Sequence, residues 1–153
     1  MQRIDKVVRP PGLIRSAKTY SLFFDTDRFY AIVTGRAGMK VGSIATFGIF
    51  SGVVTKAIKG PIENAFAKKY APEITEGEKR ATVAALPELA KEKYSMCVPF
   101  SSITSIIVGT DAVQGPYLSL ITAKEKIKFL FRDKTQAEVE VLARNFGREV
   151  VVK

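Results

Sequence analysis

At 153 residues, 46% of them hydrophobic, the chain is long and apolar enough for one domain with its own core, which excludes wholesale disorder. Twenty-four Lys and Arg against 15 Asp and Glu leave a formal charge of +9, which argues against a basic partner and favours phosphate-bearing ones. There is no histidine, so the usual general base near neutral pH and the commonest metal ligand are missing, and the single cysteine excludes an intramolecular disulfide, a thiolate zinc cluster and an iron-sulfur site.

Residues 1–15 mix charges with Pro10 and Pro11 and contain no apolar run of signal-peptide length, so the reading is cytoplasmic. Tyr20–Asp25 and Phe29–Thr34 are rich in β-branched and aromatic residues, and the break Asp25-Thr26-Asp27-Arg28 has turn composition; together they predict a β-hairpin. From Gly35 to Gly60 the chain is glycine-rich and apolar, and from Pro61 to Tyr94 it is rich in Ala, Glu and Lys. Pro61 opens a predicted helix through Tyr70, Thr75 with Glu78 has capping-box spacing ahead of 79–86, and Pro87 breaks that segment or starts another turn.

The β signal returns at Met96–Phe100, Ile103–Gly109, Tyr117–Thr122 and Lys126–Phe131, the last two forming a predicted hairpin. Cys97, between Met96 and Val98, reads as a small buried hydrophobe with no base to activate it. Alternation puts Ile127, Phe129 and Phe131 on a core face and Lys126 and Lys128 on the other. Asp133 is the predicted N-cap of a closing helix, with Gln136 three residues on, Val139, Leu142 and Phe146 on one face, and Gly147 as its stop. This order is α+β, not alternating βαβ, and nothing repeats at a fixed period.

The run Tyr20-Ser21-Leu22-Phe23-Phe24-Asp25-Thr26-Asp27-Arg28-Phe29-Tyr30 resembles the extended, Thr-Asp-Arg, extended hairpin of bacterial and archaeal pleckstrin-homology-like and GRAM-like domains. Val98-Pro99-Phe100-Ser101-Ser102-Ile103-Thr104-Ser105-Ile106 is similar to their Ile-Pro-Tyr-x-x-Ile-x-x-Ile strand entry. The resemblance covers 13–34 and 96–146. It implies a bent antiparallel sheet or partly open barrel capped by a C-terminal helix, and a role in membrane association or protein contact more often than catalysis. Members that bind phosphoinositides carry basic residues on the first strands and the loop between them; here that loop holds Asp25 and Asp27, with Arg28 its only cation.

Gly35 to Ser43 has the glycines of a phosphate loop, but Lys40 stands between Met39 and Val41 where such a loop needs Gly-Lys-Ser/Thr, so a strand-to-helix connection is favoured. The segment 41–62 holds no uncharged stretch longer than Val41–Thr55, which is shorter than the roughly 20 residues of a spanning helix and is interrupted by Gly42, Gly48 and Gly52. Its apolar residues bordered by lysines suit core packing, contact with a second protomer, or a membrane interface; Lys40, Phe47, Ile49, Phe50, Lys56 and Lys59 are the candidate contacts. Lys124, Lys126, Lys128, Arg132 and Lys134 form a second candidate, a basic patch around the last hairpin that is either a solvated face or a phosphate-attracting one. The carboxylate pairs Asp25/Asp27 and Glu76/Glu78 are accounted for by a turn and a helix start.

The expectation is one pleckstrin-homology-like domain over 1–153 with a helical insertion at about 39–94, without catalytic residues, metal or cofactor. It is expected to associate with an anionic lipid surface, at the inner face of the membrane, or with a membrane-bound protein. A self-assembling scaffold is the second reading, through homo-oligomer contacts and without lipid affinity, and RNA binding through the basic surface is the third.

Overall fold

Strand alternation and one amphipathic helix account for most of the architecture of the computed structural model, which describes residues 1–11, 16–37 and 70–153. In chain order the strands are β1 (Gln2–Arg9), β2 (Lys18–Phe24), β3 (Arg28–Arg36), β4 (Met96–Pro99), β5 (Ile103–Asp111), β6 (Gly115–Thr122), β7 (Lys126–Leu130) and β8 (Val150–Val152). Among the described residues the α-helical segments are α1, covering 70–80, α2 (Leu86–Leu89) and α3 (Gln136–Arg144), with 3-10 turns at Val83–Ala85 and Phe100–Ser102. The strands form one open sheet in the order β4-β3-β2-β1-β7-β6-β5-β8. Every pairing is antiparallel except that of β8, which lies parallel to β5. The α+β expectation holds.

Both predicted hairpins form: Phe24 faces Phe29 across β2 and β3, and Leu118 faces Phe129 across β6 and β7. Alternation turns Tyr20, Leu22, Phe24, Phe29 and Ala31 into the same core as Leu118, Leu120, Ile127 and Phe129. Two strands were not expected. In β1 a bulge between Ile4 and Val7, with Lys6 at φ 60°, disrupts the period-two pattern; β8 is only three residues long. The two halves of the sheet meet at β1 and β7, where the paired residues are Val8 and Leu130.

Helix α3 lays Val139, Leu142 and Ala143 on the core, and Phe146 follows into a cluster with Phe24, Phe29 and Phe100 at centroid distances of 5.2–5.6 Å. Its cap differs from the expected one. Thr135, not Asp133, is the N-cap: its hydroxyl accepts from the Glu138 amide at 3.3 Å, while the Glu138 carboxylate accepts from the Thr135 amide at 2.6 Å. That backbone hydrogen bond, with the threonine hydroxyl, holds the Glu138 carboxyl below its usual range. Gly147, at φ 62°, follows the helix as expected.

The expected capping box at Thr75 and Glu78 is not a helix start, because α1 is already under way at residue 70; the Thr75 hydroxyl donates back to the Ala71 carbonyl at 2.9 Å. Pro87 sits in the first turn of α2, the second of the two roles anticipated for it. Ala81, Leu86 and Leu89 cover Phe23 and Ile32 on the outer face of β2 and β3. Arg3 fastens this layer: its Nη1 donates to the Ala81 carbonyl and its Nη2 to that of Glu78, each at 2.8 Å, with the guanidinium 5.0 Å from the Phe23 ring centre. Cys97 is exposed rather than buried, because alternation along β4 turns Val98 to the core and Cys97 away from it.

Candidate anion-binding rim

Antiparallel order places the ends of successive strands alternately on two rims of the sheet. One rim carries the end of β1, the start of β2, the end of β3, the start of β4, the end of β6 and the start of β7. The other carries the β2–β3 and β5–β6 turns.

On the first rim the register brings cations face to face. Arg9 of β1 is opposite Lys18 of β2, and Lys18 is opposite Arg36 of β3. Like charges at directly facing positions destabilise a sheet, so three in a row need compensation or a use. Part of the compensation is visible. The buried Arg9 donates through Nη2 to Glu125 Oε2 at 3.1 Å, and Arg36 Nε lies 3.9 Å from Glu73 Oε1 with its guanidinium 5.6 Å from the Tyr70 ring centre. Among the described residues Lys18 meets a π face and no carboxylate: its Nζ is 5.3 Å from the centre of the Tyr94 ring, and Lys93 Nζ is 5.1 Å from the same centre. Tyr94 is pinned at φ 70°, with its carbonyl accepting from the Tyr20 hydroxyl at 2.8 Å.

The β6–β7 turn adds Lys124 and Lys126, both exposed. Thr122 shapes that turn: its hydroxyl accepts from the Lys124 and Glu125 amides at 3.3 and 3.1 Å and donates to the Glu125 carbonyl at 3.0 Å. The opposite rim holds Asp25 and Asp111, which accept from turn amides, and Asp27, whose pairing with Arg28 at 2.9 Å holds its carboxyl below the usual range. Among the described residues, Arg9, Lys18, Arg36, Lys124 and Lys126 thus lie where β1, β2 and β3 meet the β6–β7 turn.

The predicted basic patch is strung along β7 rather than gathered. Lys124 and Lys126 lie on the cationic rim, Lys128 rests 4.5 Å from the Tyr117 ring centre midway along the strand, and Arg132 and Lys134 lie beyond its far end, next to α3. Lys40, Phe47, Ile49, Phe50, Lys56 and Lys59 lie outside the described residues, as does the predicted helix from Pro61 up to residue 69. Both chain ends that flank this stretch are at the cationic rim, because residue 37 follows β3 there and Tyr70 meets Arg36. Lys18, Arg36 and Lys93 were not anticipated. The available signal was that Lys18 and Arg36 bracket the predicted hairpin at its open end.

Among the described residues no three His, Cys, Asp or Glu side chains cluster as a metal site, and no helix is long and apolar enough to cross a membrane. A groove of about 590 Å³ between β3 and α1 is lined by Thr34, Gly35, Glu73, Glu76 and Arg80. Its charges are engaged with neighbours: Glu73 with Arg36, Glu76 with Lys79, and Arg80 with Glu92 at 2.8 Å. No known family's sequence model matches the chain, and no curated protein matches it.

Proposed function

We propose that the chain is a non-catalytic binding module that associates peripherally with an anionic, phosphate-bearing membrane surface through the rim of Lys18, Arg36, Lys93, Lys124 and Lys126. The facing pair Lys18–Arg36 carries this reading, since a bilayer rich in lipid phosphates would relieve the repulsion that the register builds in. The glycine-rich segment with Lys40, Phe47, Ile49, Phe50, Lys56 and Lys59 is attached at the same rim, which supports a contact combining charge with shallow apolar insertion at the inner face of the membrane. A sheet bent about one core and closed by a C-terminal helix supports a pleckstrin-homology-like domain over 1–153, with about 39–94 as an insertion.

Co-sedimentation of the intact chain with neutral and anionic vesicles, at low and physiological salt, tests this proposal. Binding is expected to anionic vesicles only and to weaken with salt. Reversing Lys18 and Arg36 to Glu should reduce it at least about tenfold, at roughly 1 kcal/mol for each basic residue near the surface. No sedimentation with anionic vesicles at low salt would sink the lipid reading in favour of a protein partner, and a shift of RNA under the same conditions would promote the nucleic-acid one.

A further inference from the structure

We infer that β8 is a self-complementary edge through which two copies of this chain pair, antiparallel and two-fold symmetric about Val151. β8 is the terminal strand of the sheet, and among the described residues nothing pairs with its outer side. Which peptide groups face outward follows from its register. The Lys153 amide donates to the Val108 carbonyl of β5 at 2.8 Å, so by the period of two Val151 also bonds inward, and the amides and carbonyls of Val150 and Val152 point away from β5.

An antiparallel partner centred on Val151 sets Val150 of one copy opposite Val152 of the other, twice. These are the residues with free outward groups, so each facing pair exchanges two hydrogen bonds. The same register sets Glu149 opposite the second copy's Lys153 at both ends, and neither residue has an ion-pair partner among the described residues. The sequence Glu149-Val150-Val151-Val152-Lys153 is thus charge-complementary to itself when reversed. Of the exposed large hydrophobic residues among those described, Val151 and Val152 lie side by side in β8, whereas Met1, Val83, Val113 and Val141 stand singly on other elements. An edge this short buries little area, so the pairing is weak and concentration-dependent.

Sedimentation velocity on the full chain from about 10 µM to about 1 mM should show a monomer–dimer equilibrium. Glu149→Lys alone sets lysine against lysine and should weaken dimerisation about tenfold; Lys153→Glu alone should do the same, and the two together should restore it. Val152→Pro removes an outward amide without touching a bond to β5 and should abolish the dimer, with circular dichroism reporting whether the fold survives. A chain that stays monomeric throughout overturns the inference. So does a dimer indifferent to these substitutions, or one that the double exchange fails to restore.

Discussion

Glu78, near the end of α1, has its Oε1 buried without a hydrogen-bond partner. Burial raises its pKa above the ordinary 4.5, the nearby Asp5 carboxylate adds to the rise, and Lys6 and Arg3 oppose it. A carboxyl with a raised folded-state pKa contributes stability that is fully present below the unfolded value and is lost as pH climbs through the folded one. Ionised Glu78 is therefore a liability at neutral pH. Glu78→Gln keeps the shape, and the main-chain carbonyl that accepts from Arg3 is unaffected. It should raise the melting temperature at pH 7, with a gain that shrinks towards pH 4. Calorimetry at both values checks this, and an equal gain at both would show that charge is not the cause. Local sequence hid this environment: Thr75 and Glu78 have the spacing of a cap, and only the helical turns before them make the pair interior.

α1 lies against β3 because of one glycine. A Cβ on Gly77 would come within 1.9 Å of the Thr34 carbonyl oxygen, a main-chain atom that cannot move aside as a side chain can. Replacing a helical glycine by alanine ordinarily gains about 1 kcal/mol in propensity. Here the overlap forces the helix off the sheet, and overpacking of this kind costs about 1–3 kcal/mol, more when backbone must shift. Gly77→Ala should lower the melting temperature by several degrees, and amide exchange should quicken in 70–80 before it does in β5 to β7. Unchanged protection in 70–80 would contradict the close approach. The elements that sequence predicted well were those whose pattern is local: the hairpins at β2–β3 and β6–β7, and the face of α3. β1 was hidden by its bulge, β8 by its length, and the layering of α1 and α2 on Phe23 and Ile32 by being a contact between distant segments.

For the whole molecule, the decisive information lay in strand order, which periodicity does not carry. Lys18 and Arg36 are 18 residues apart in sequence, and Arg9 belongs to a strand that was not expected; only the register makes them a row. The basic residues expected around the last hairpin are spread along β7 at about 3.4 Å per residue, so that Lys124 and Lys126 reach the cationic rim and Arg132 and Lys134 do not. The same topology makes a claim about cohesion. β1–β3 and β5–β7 share few strand contacts, yet their inward residues form one core, and Phe146 touches aromatic rings of β2 and β3 and Phe100 ahead of β5. Phe146→Ala empties that junction. A buried Phe→Ala change costs about 3–5 kcal/mol. If the shared core and not the β1–β7 pairing joins the halves, urea unfolding should remain one transition, shifted to lower denaturant with an unchanged slope. Tyrosine fluorescence and far-ultraviolet circular dichroism should move together. Two separated transitions would mean that each half-sheet is stable without the helix, and that α3 covers the core without uniting it.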